Sequence, residues 1–195
     1  MNKIISPLEE QKYLTGQLLI ASPQITDSRF FHSVILVCGH DLNGAMGIIL
    51  NRLIDDLTLK DLIEQIGLQS SKTMNVPISV HFGGPIEMDR GFVIHSTDYL
   101  QDGSVKISDE MALSSTVEIL SLLMEGEGPK QKILALGYVA WSAGQLEAEI
   151  QKSSWLQTDA DLDLVFSSDL SNMWKKALKK IGVDPALLSS QTGHA

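Results

Sequence analysis

The chain has 195 residues, near the upper end for one domain and short for two. Its 15 Lys and Arg stand against 24 Asp and Glu, a formal charge of −9, which disfavours non-specific binding to nucleic acid or an anionic membrane because both need a basic footprint. A single cysteine excludes an internal disulfide and multi-cysteine zinc or iron–sulfur sites, and 44 % hydrophobic with 20 % charged residues describes a folded, soluble, intracellular domain.

No secretory leader is expected, since Lys3 is followed by Glu9 and Glu10 and the apolar stretch Leu18–Ala21 is too short. Gln17–Ala21 reads as a strand stopped by Pro23. Ser33–His40 and Ala45–Asn51 read as antiparallel partners joined through Asp41-Leu42-Asn43-Gly44, a connection longer than the two-residue ideal, with Asn43-Gly44 supplying positive φ. Thr58 with Asp61 resembles a capping box, and Leu59, Leu62, Ile63 and Ile66 follow at helical spacing before Gly67. Ile78, Val80 and Phe82 alternate with polar neighbours, so a half-buried strand is predicted there, paired with Gly91–Ser96 across the loop Gly84–Arg90.

Further along, Leu113, Val117, Leu120 and Met124 define a second helix face, and Met124–Lys130 is a Gly- and Pro-containing break. Ile133–Gly137 reads as a central strand that ends before a helix at Gly144–Lys152. Leu162, Leu164 and Phe166 alternate with Asp161 and Asp163, which predicts a strand. Leu170, Met173, Trp174, Ala177 and Ile181 mark a last helix, whose lysines Lys175, Lys176, Lys179 and Lys180 suit its C-terminal dipole. Strands dominate early and helices late without βαβ alternation, which argues an α+β fold with a mixed, largely antiparallel sheet in one domain over residues 1–195.

The phosphate-loop, dinucleotide-glycine, Gly-x-Ser-x-Gly and His-Glu-x-x-His patterns are absent, so no cofactor is expected. Asp159-Ala-Asp161-Leu-Asp163 begins like a calcium loop but fails at Leu164 and Leu170, where Gly and Glu are needed. His32, Cys38 and His40 share one parity, yet only the last two lie close enough to converge, so no metal site is expected. Cys38 sits in an apolar strand, where a thiol is a poor nucleophile.

Two segments could carry a ligand. In the first, Gly83-Gly84-Pro85 allows backbone conformations closed to other residues and leaves amides uncovered, with Asp89, Arg90 and His95 nearby. The structural reading is a turn fixed by Pro85, with Asp89 paired to Arg90. In the second, Ser142 as N-cap would place Gln145 at the third helical position, and Gly144 would leave the helix start open to an anion. Here Glu147 and Glu149 already complement the dipole, and Tyr138 and Trp141 could be core. If the two segments meet, Gly83, Gly84, Arg90, His95, Tyr138, Trp141 and Gly144 would line a receptor for a small anion or peptide carboxylate.

These segments and the hairpin carry a resemblance. His40-Asp-Leu-Asn-Gly-Ala-Met-Gly-Ile-Ile-Leu-Asn51, Gly83-Gly-Pro85 with Asp89-Arg-Gly-Phe92 and His95, Gly137-Tyr-Val-Ala-Trp141 with Gly144-Gln-Leu-Glu147, and Gly193-His-Ala195 are similar to the YqgE/AlgH family of bacterial proteins. The likeness runs from about Gly16 to the C-terminus and leaves residues 1–15 as an N-terminal extension; Asn51-Arg52-Leu53 departs from the family's Asn-Lys-Pro. The resemblance implies a sheet curled into a pseudo-barrel with flanking helices and a cytosolic protein. It names no reaction, and the family's label of transcriptional regulator rests on a genetic link to alginate production. The leading expectation is a non-catalytic binding or regulatory module acting through a small anionic ligand or a protein partner. An enzyme using the Gly83–Arg90 loop and the Trp141–Gln145 helix start is the alternative, and a transcriptional regulator is the second. Direct nucleic-acid contact is not expected, because the charge has the wrong sign and no basic recognition helix is evident.

Overall fold

The computed structural model describes residues 13–67 and 77–185; the Gly193–Ala195 motif and residues 1–12 of the extension lie outside the described residues. The elements in chain order are β1 (Gln17–Ala21), β2 (Val34–Asp41), β3 (Gly44–Ile49), β4 (Leu53–Thr58), α1 (Leu59–Gln65), β5 (Ser79–Phe82), β6 (Ile86–Ser96) and β7 (Val105–Lys106). They continue as β8 (Met111–Ser114), α2 (Val117–Met124), β9 (Lys132–Ser142), α3 (Gln145–Gln151), β10 (Trp155–Asp159), α4 (Leu162–Val165) and α5 (Leu170–Lys180). The fold is α+β. Its sheet runs β10-β1-β2-β3-β9-β6-β8-β7 and curls into a half-barrel, antiparallel throughout except where β5 joins β9 in parallel. No helix among the described residues is long and apolar enough to cross a membrane.

Alternation in β1, β2 and β3 gives the sheet two buried faces. Leu18, Ile20, Leu36 and Ile48 point to one, which α4 and α5 cover with Val165, Met173, Trp174, Ala177 and Leu178. Leu19, Ile35, Val37 and Ile49 point to the other, which Trp141, Leu146 and Trp155 cover. Burial of both faces explains why these strands read as continuous apolar runs, each enclosed Leu or Ile contributing about 2 kcal/mol. A third cluster packs α1 and α2, through Leu59, Ile63, Ile119 and Leu123, onto Val80, Val93 and Leu134.

The β2–β3 hairpin forms as predicted, but its turn is tighter. Asp41 pairs with Gly44, so Leu42 and Asn43 alone make the loop, and the Asp41 carboxylate accepts the Asn43 amide at 2.7 Å. Thr58 and Asp61 form the expected capping box at the start of α1.

Four expectations are corrected. β5 and β6 are not a hairpin: β9 lies between them, pairing Val80–Phe82 on one edge and Gly91–His95 on the other. β9 does not end at Gly137 but continues to Ser142, because Gly137 at φ +71 kinks the strand without stopping it. Residues 162–165 are helical, not extended, since the Asp161 carboxylate caps them by accepting the Leu164 amide at 2.8 Å; the strand there is β10, at 155–159. In α2 the buried face is Ile119, Leu123 and Met124, with Val117 exposed, because Leu113 belongs to β8 and the helix starts only at Val117.

Candidate functional site

The structure separates the seven predicted site residues. Gly83, Gly84 and Gly137 mark a crossing of two backbones. A Cβ on Gly83 would overlap the Gly137 carbonyl oxygen, one on Gly84 the Tyr138 carbonyl, and one on Gly137 the Gly84 carbonyl oxygen. The Gly83 amide is not open to a ligand, since it donates to the Leu136 carbonyl at 2.8 Å, while its own carbonyl accepts the Ile49 amide at 2.9 Å. The glycines are there so that β5 can run against β9 and meet the end of β3 at Ile49.

Arg90 and Tyr138 do come together. Arg90 Nη1 lies 3.1 Å from Glu87 Oε2 with its guanidinium 5.1 Å from the Phe92 ring centre, and Tyr138 donates to Glu87 Oε1 at 3.4 Å. Asp89 is not the partner of Arg90; Glu87, held at φ +46, takes that place. Trp141, three residues along the same strand, falls on the opposite face, so Tyr138 and Trp141 cannot wall one pocket.

His95 is fully buried. Its Nδ1–H donates to the Ser96 carbonyl at 3.0 Å and its Nε2 accepts from Ser114 Oγ at 2.9 Å. A carbonyl only accepts, which fixes this tautomer and leaves no nitrogen for a ligand. Ser142 is not the N-cap of α3: Gly144 is, in the left-handed conformation, while Gln145 Oε1 accepts the Ser142 amide at 3.0 Å. The helix that follows has only seven residues and carries Glu147 in its first turn.

A cleft of about 590 Å³ does open beside Trp141, between the 24–30 segment, Pro85–Ile86, α3 and Trp155. Its floor is built on Glu149. Oε2 accepts the indole N–H of Trp141 at 2.9 Å and of Trp155 at 2.8 Å, and Oε1 accepts Gln145 Nε2 at 2.9 Å. The two indoles meet edge to face at 6.0 Å, and Phe30 meets Trp155 the same way at 5.9 Å. Arg29 on the rim is held by Asp27 through three hydrogen bonds, Nη2 to Oδ2 at 2.7 Å being the shortest. Lys152 on the wall has no acidic partner among the described residues.

Of this cleft the sequence reading singled out Pro85, as the residue fixing a turn, with Trp141, Gln145 and Glu149, the last as a complement to the helix dipole. Gln145 and Glu149 stand four apart on one helix, a spacing that could have been read as a pair. Phe30 and Trp155 lie on other elements and give no such signal.

A second cleft, of about 580 Å³, holds His40 and Glu147. The Leu14 amide donates to His40 Nδ1 at 3.1 Å, so the neutral ring carries its proton on Nε2 and donates it to Glu147 Oε1 at 3.0 Å. Both ring nitrogens are committed to protein, and this histidine has no lone pair left for a substrate proton. His32, Cys38 and His40 do not share a face: β2 slips register against β3 between Val37 and Gly39, which turns His40 toward Leu14 while Cys38 stays in the core beneath α5. Burial pushes the Cys38 thiol up to about 12, so it stays protonated and inert.

His81 is buried with Nδ1–H on the Leu50 carbonyl at 2.6 Å, and burial holds its pKa below the ordinary value against that hydrogen bond. The unfolded chain takes this proton near about pH 6.5 and the folded chain only at lower pH, so between the two the unfolded state binds more protons and stability falls as pH falls. His32, lowered chiefly by burial, adds the same sign. The melting temperature should therefore drop between about pH 7 and about pH 5, and His81→Gln should flatten that slope. Parallel slopes for the two proteins would remove His81 as a cause.

The likeness to known proteins follows the same chain. The family described as AlgH-like matches residues 18–186. The chain belongs to the AlgH-like family. Among its AlgH-like relatives, a protein titled UPF0301 from Rhodopseudomonas palustris is 45 % identical over 196 residues, covering 97 % of this chain and 90 % of the relative. Another so titled, from Rhodospirillum rubrum, is 41 % identical over 187 residues, covering 96 % and 97 %. The solution structure of the AlgH protein from Pseudomonas aeruginosa superposes with a TM-score of 0.77 at 33 % identity over the whole of both chains. A crystal structure from Corynebacterium diphtheriae, at 18 % identity and TM-score 0.67 over 100 % of this chain and 95 % of that one, shares the fold. The α+β fold with a curled, largely antiparallel sheet, which the family resemblance implied, is thus the fold observed.

Proposed function

We propose that this AlgH-like protein is a non-catalytic binding module, and that its aromatic cleft receives a small ligand with a flat apolar body and a carboxylate, free or at the end of a peptide. The observation that carries the reading is the closed floor. Glu149 accepts three hydrogen bonds from neutral groups, so both its oxygens are committed to rigid neighbours while its charge remains, and Lys152 on the wall is the cation left to meet an anion. Phe30, half-buried, offers flat apolar surface backed by the buried indoles of Trp141 and Trp155, and the three rotamers are held by one another and by Glu149, which lowers the ordering cost of binding.

The hydroxyls of the cleft support binding over chemistry. Thr26 and Ser154 line it, but among the described residues no histidine or cysteine does. The Ser114–His95 pair has nucleophile-and-base geometry at 2.9 Å, yet both side chains are sealed in the sheet, where no substrate reaches them. A protein partner presenting a C-terminal carboxylate fits the same cleft.

The test is a titration with phenylacetate, indole-3-acetate and a short peptide ending in an aromatic residue, read by tryptophan emission and melting temperature. Millimolar ligand should change both, and Lys152→Glu should weaken binding about tenfold, the loss of one charge-assisted contact. Unchanged emission and melting with all three ligands would retire the reading.

A further inference from the structure

Next to the 24–30 segment that borders the cleft, three aromatic rings lie in one stack. Trp174 of α5 is anchored by its indole N–H on the Ala21 carbonyl at 2.8 Å. The His32 ring lies over it at 3.9 Å between centres and 24° between planes, and Phe31 lies over His32 at the same separation and tilt. The stack ends at Phe31, which is 52 % exposed. With His32 covering one face, that exposure belongs to the other face and the ring edge.

Its local backbone is unusual. His32 holds φ +55, a conformation that costs a non-glycine residue about 1 kcal/mol. The strain is held by a second device: Arg52 Nη2 donates to the Phe31 carbonyl at 2.7 Å and the Ser28 carbonyl at 3.1 Å, and Asn51 Nδ2 donates to the His32 carbonyl at 2.9 Å. Two residues that follow β3 thus pin the carbonyls of both stacked residues. The rest of the Arg52 fork and the exposed Lys175 ammonium have no hydrogen-bonded acid among the described residues, although the Asp27 carboxylate, paired with Arg29, lies close enough to attract Arg52. Burial first, then the charges of Lys175 and Arg52, hold the His32 ring below its ordinary pKa, so it is a neutral ring at physiological pH.

We propose that the outer face of Phe31 is a stacking platform for a planar nitrogenous ring carrying a phosphate, a mononucleotide, with Arg52 and Lys175 receiving the phosphate. An aromatic ring stacks a base whatever its identity, and an arginine fork with a lysine beside it is the usual pairing for a phosphate. A platform one ring wide with two cations fits a single nucleotide. A nucleic-acid strand needs a basic track, which a chain of charge −9 does not offer here. This site shares no residue with the cleft, so either can fail alone.

The experiment is an NMR titration of the full chain with AMP, adenosine and a single-stranded hexanucleotide, following the ring protons of Phe31 and His32. AMP should shift both sets, and adenosine should bind more weakly for want of the phosphate. Phe31→Ala, at an exposed position, should weaken AMP about tenfold, and Lys175→Glu by a similar factor, with melting temperature little changed. No shift of either ring with AMP at millimolar concentration overturns the proposal, as does AMP binding that survives Phe31→Ala. Binding of the hexanucleotide much tighter than AMP would overturn the assignment to a mononucleotide.

Discussion

Replacing Gly137 with alanine is expected to remove about 4 kcal/mol of stability, or to yield no folded protein, because a side chain there meets backbone that cannot retreat. Its Cβ would overlap the Gly84 carbonyl oxygen and lie 2.9 Å from that of Ile86, in a strand paired on both edges. The control is Gly144→Ala. Gly144 has nearly the same φ, +73 against +71, but nothing within 4 Å of the new Cβ. It should cost only the strain of a left-handed alanine, about 1 kcal/mol. Urea denaturation of the two variants separates crowding from conformation, and equal losses would show that the crossing is not tight. For a chain of this size the difference should appear as roughly 10 °C in melting temperature.

Replacing Glu149 with leucine should cost about 3 kcal/mol, because two indole N–H groups lose their acceptor together. Trp141 and Trp155 are each less than a tenth exposed, and Glu149 Oε2 accepts from both indoles. Glu149→Gln keeps one side-chain oxygen that can accept from an indole, so it should cost less than half as much. Tryptophan emission should shift to the red in the leucine variant as the rings loosen, and binding in the cleft should weaken with it. A leucine variant as stable as the parent would mean that water, entering from the open side, replaces the carboxylate, and the floor would not be the rigid element described.

Much of the frame was legible because it is local. The capping box at Thr58, the Asp41–Gly44 hairpin, the amphipathic α5 and the runs of β1 to β3 depend on residues within a few positions of one another, where spacing and turn chemistry decide the outcome. Where the reading failed, a longer-range contact had won. The alternation at Asp161–Phe166 is genuine, but the Asp161 cap and the cover that Leu164 and Val165 give the sheet made it a helical turn. The apparent β5–β6 hairpin had the right residues on both sides, yet β9, which begins 36 residues after β6 ends, was inserted between them.

For the site the division is sharper. The residue types were readable from the sequence: paired glycines with an arginine close by, a tryptophan just before a helix start and an acidic balance, and with them the family. Which of those residues share a surface was not. Gly137 kinks β9, and the odd spacing beyond it sends Tyr138 to the face of Arg90 and Trp141 to that of Trp155. Glu149 becomes the floor of a cleft only because β10 brings Trp155 beside Trp141, and Phe31 becomes the end of a stack only because α5 returns Trp174 to His32. Sequence spacing sets the direction of a side chain within its own strand or helix, whereas its neighbours from other elements are set by sheet order and register, which no short stretch of sequence encodes.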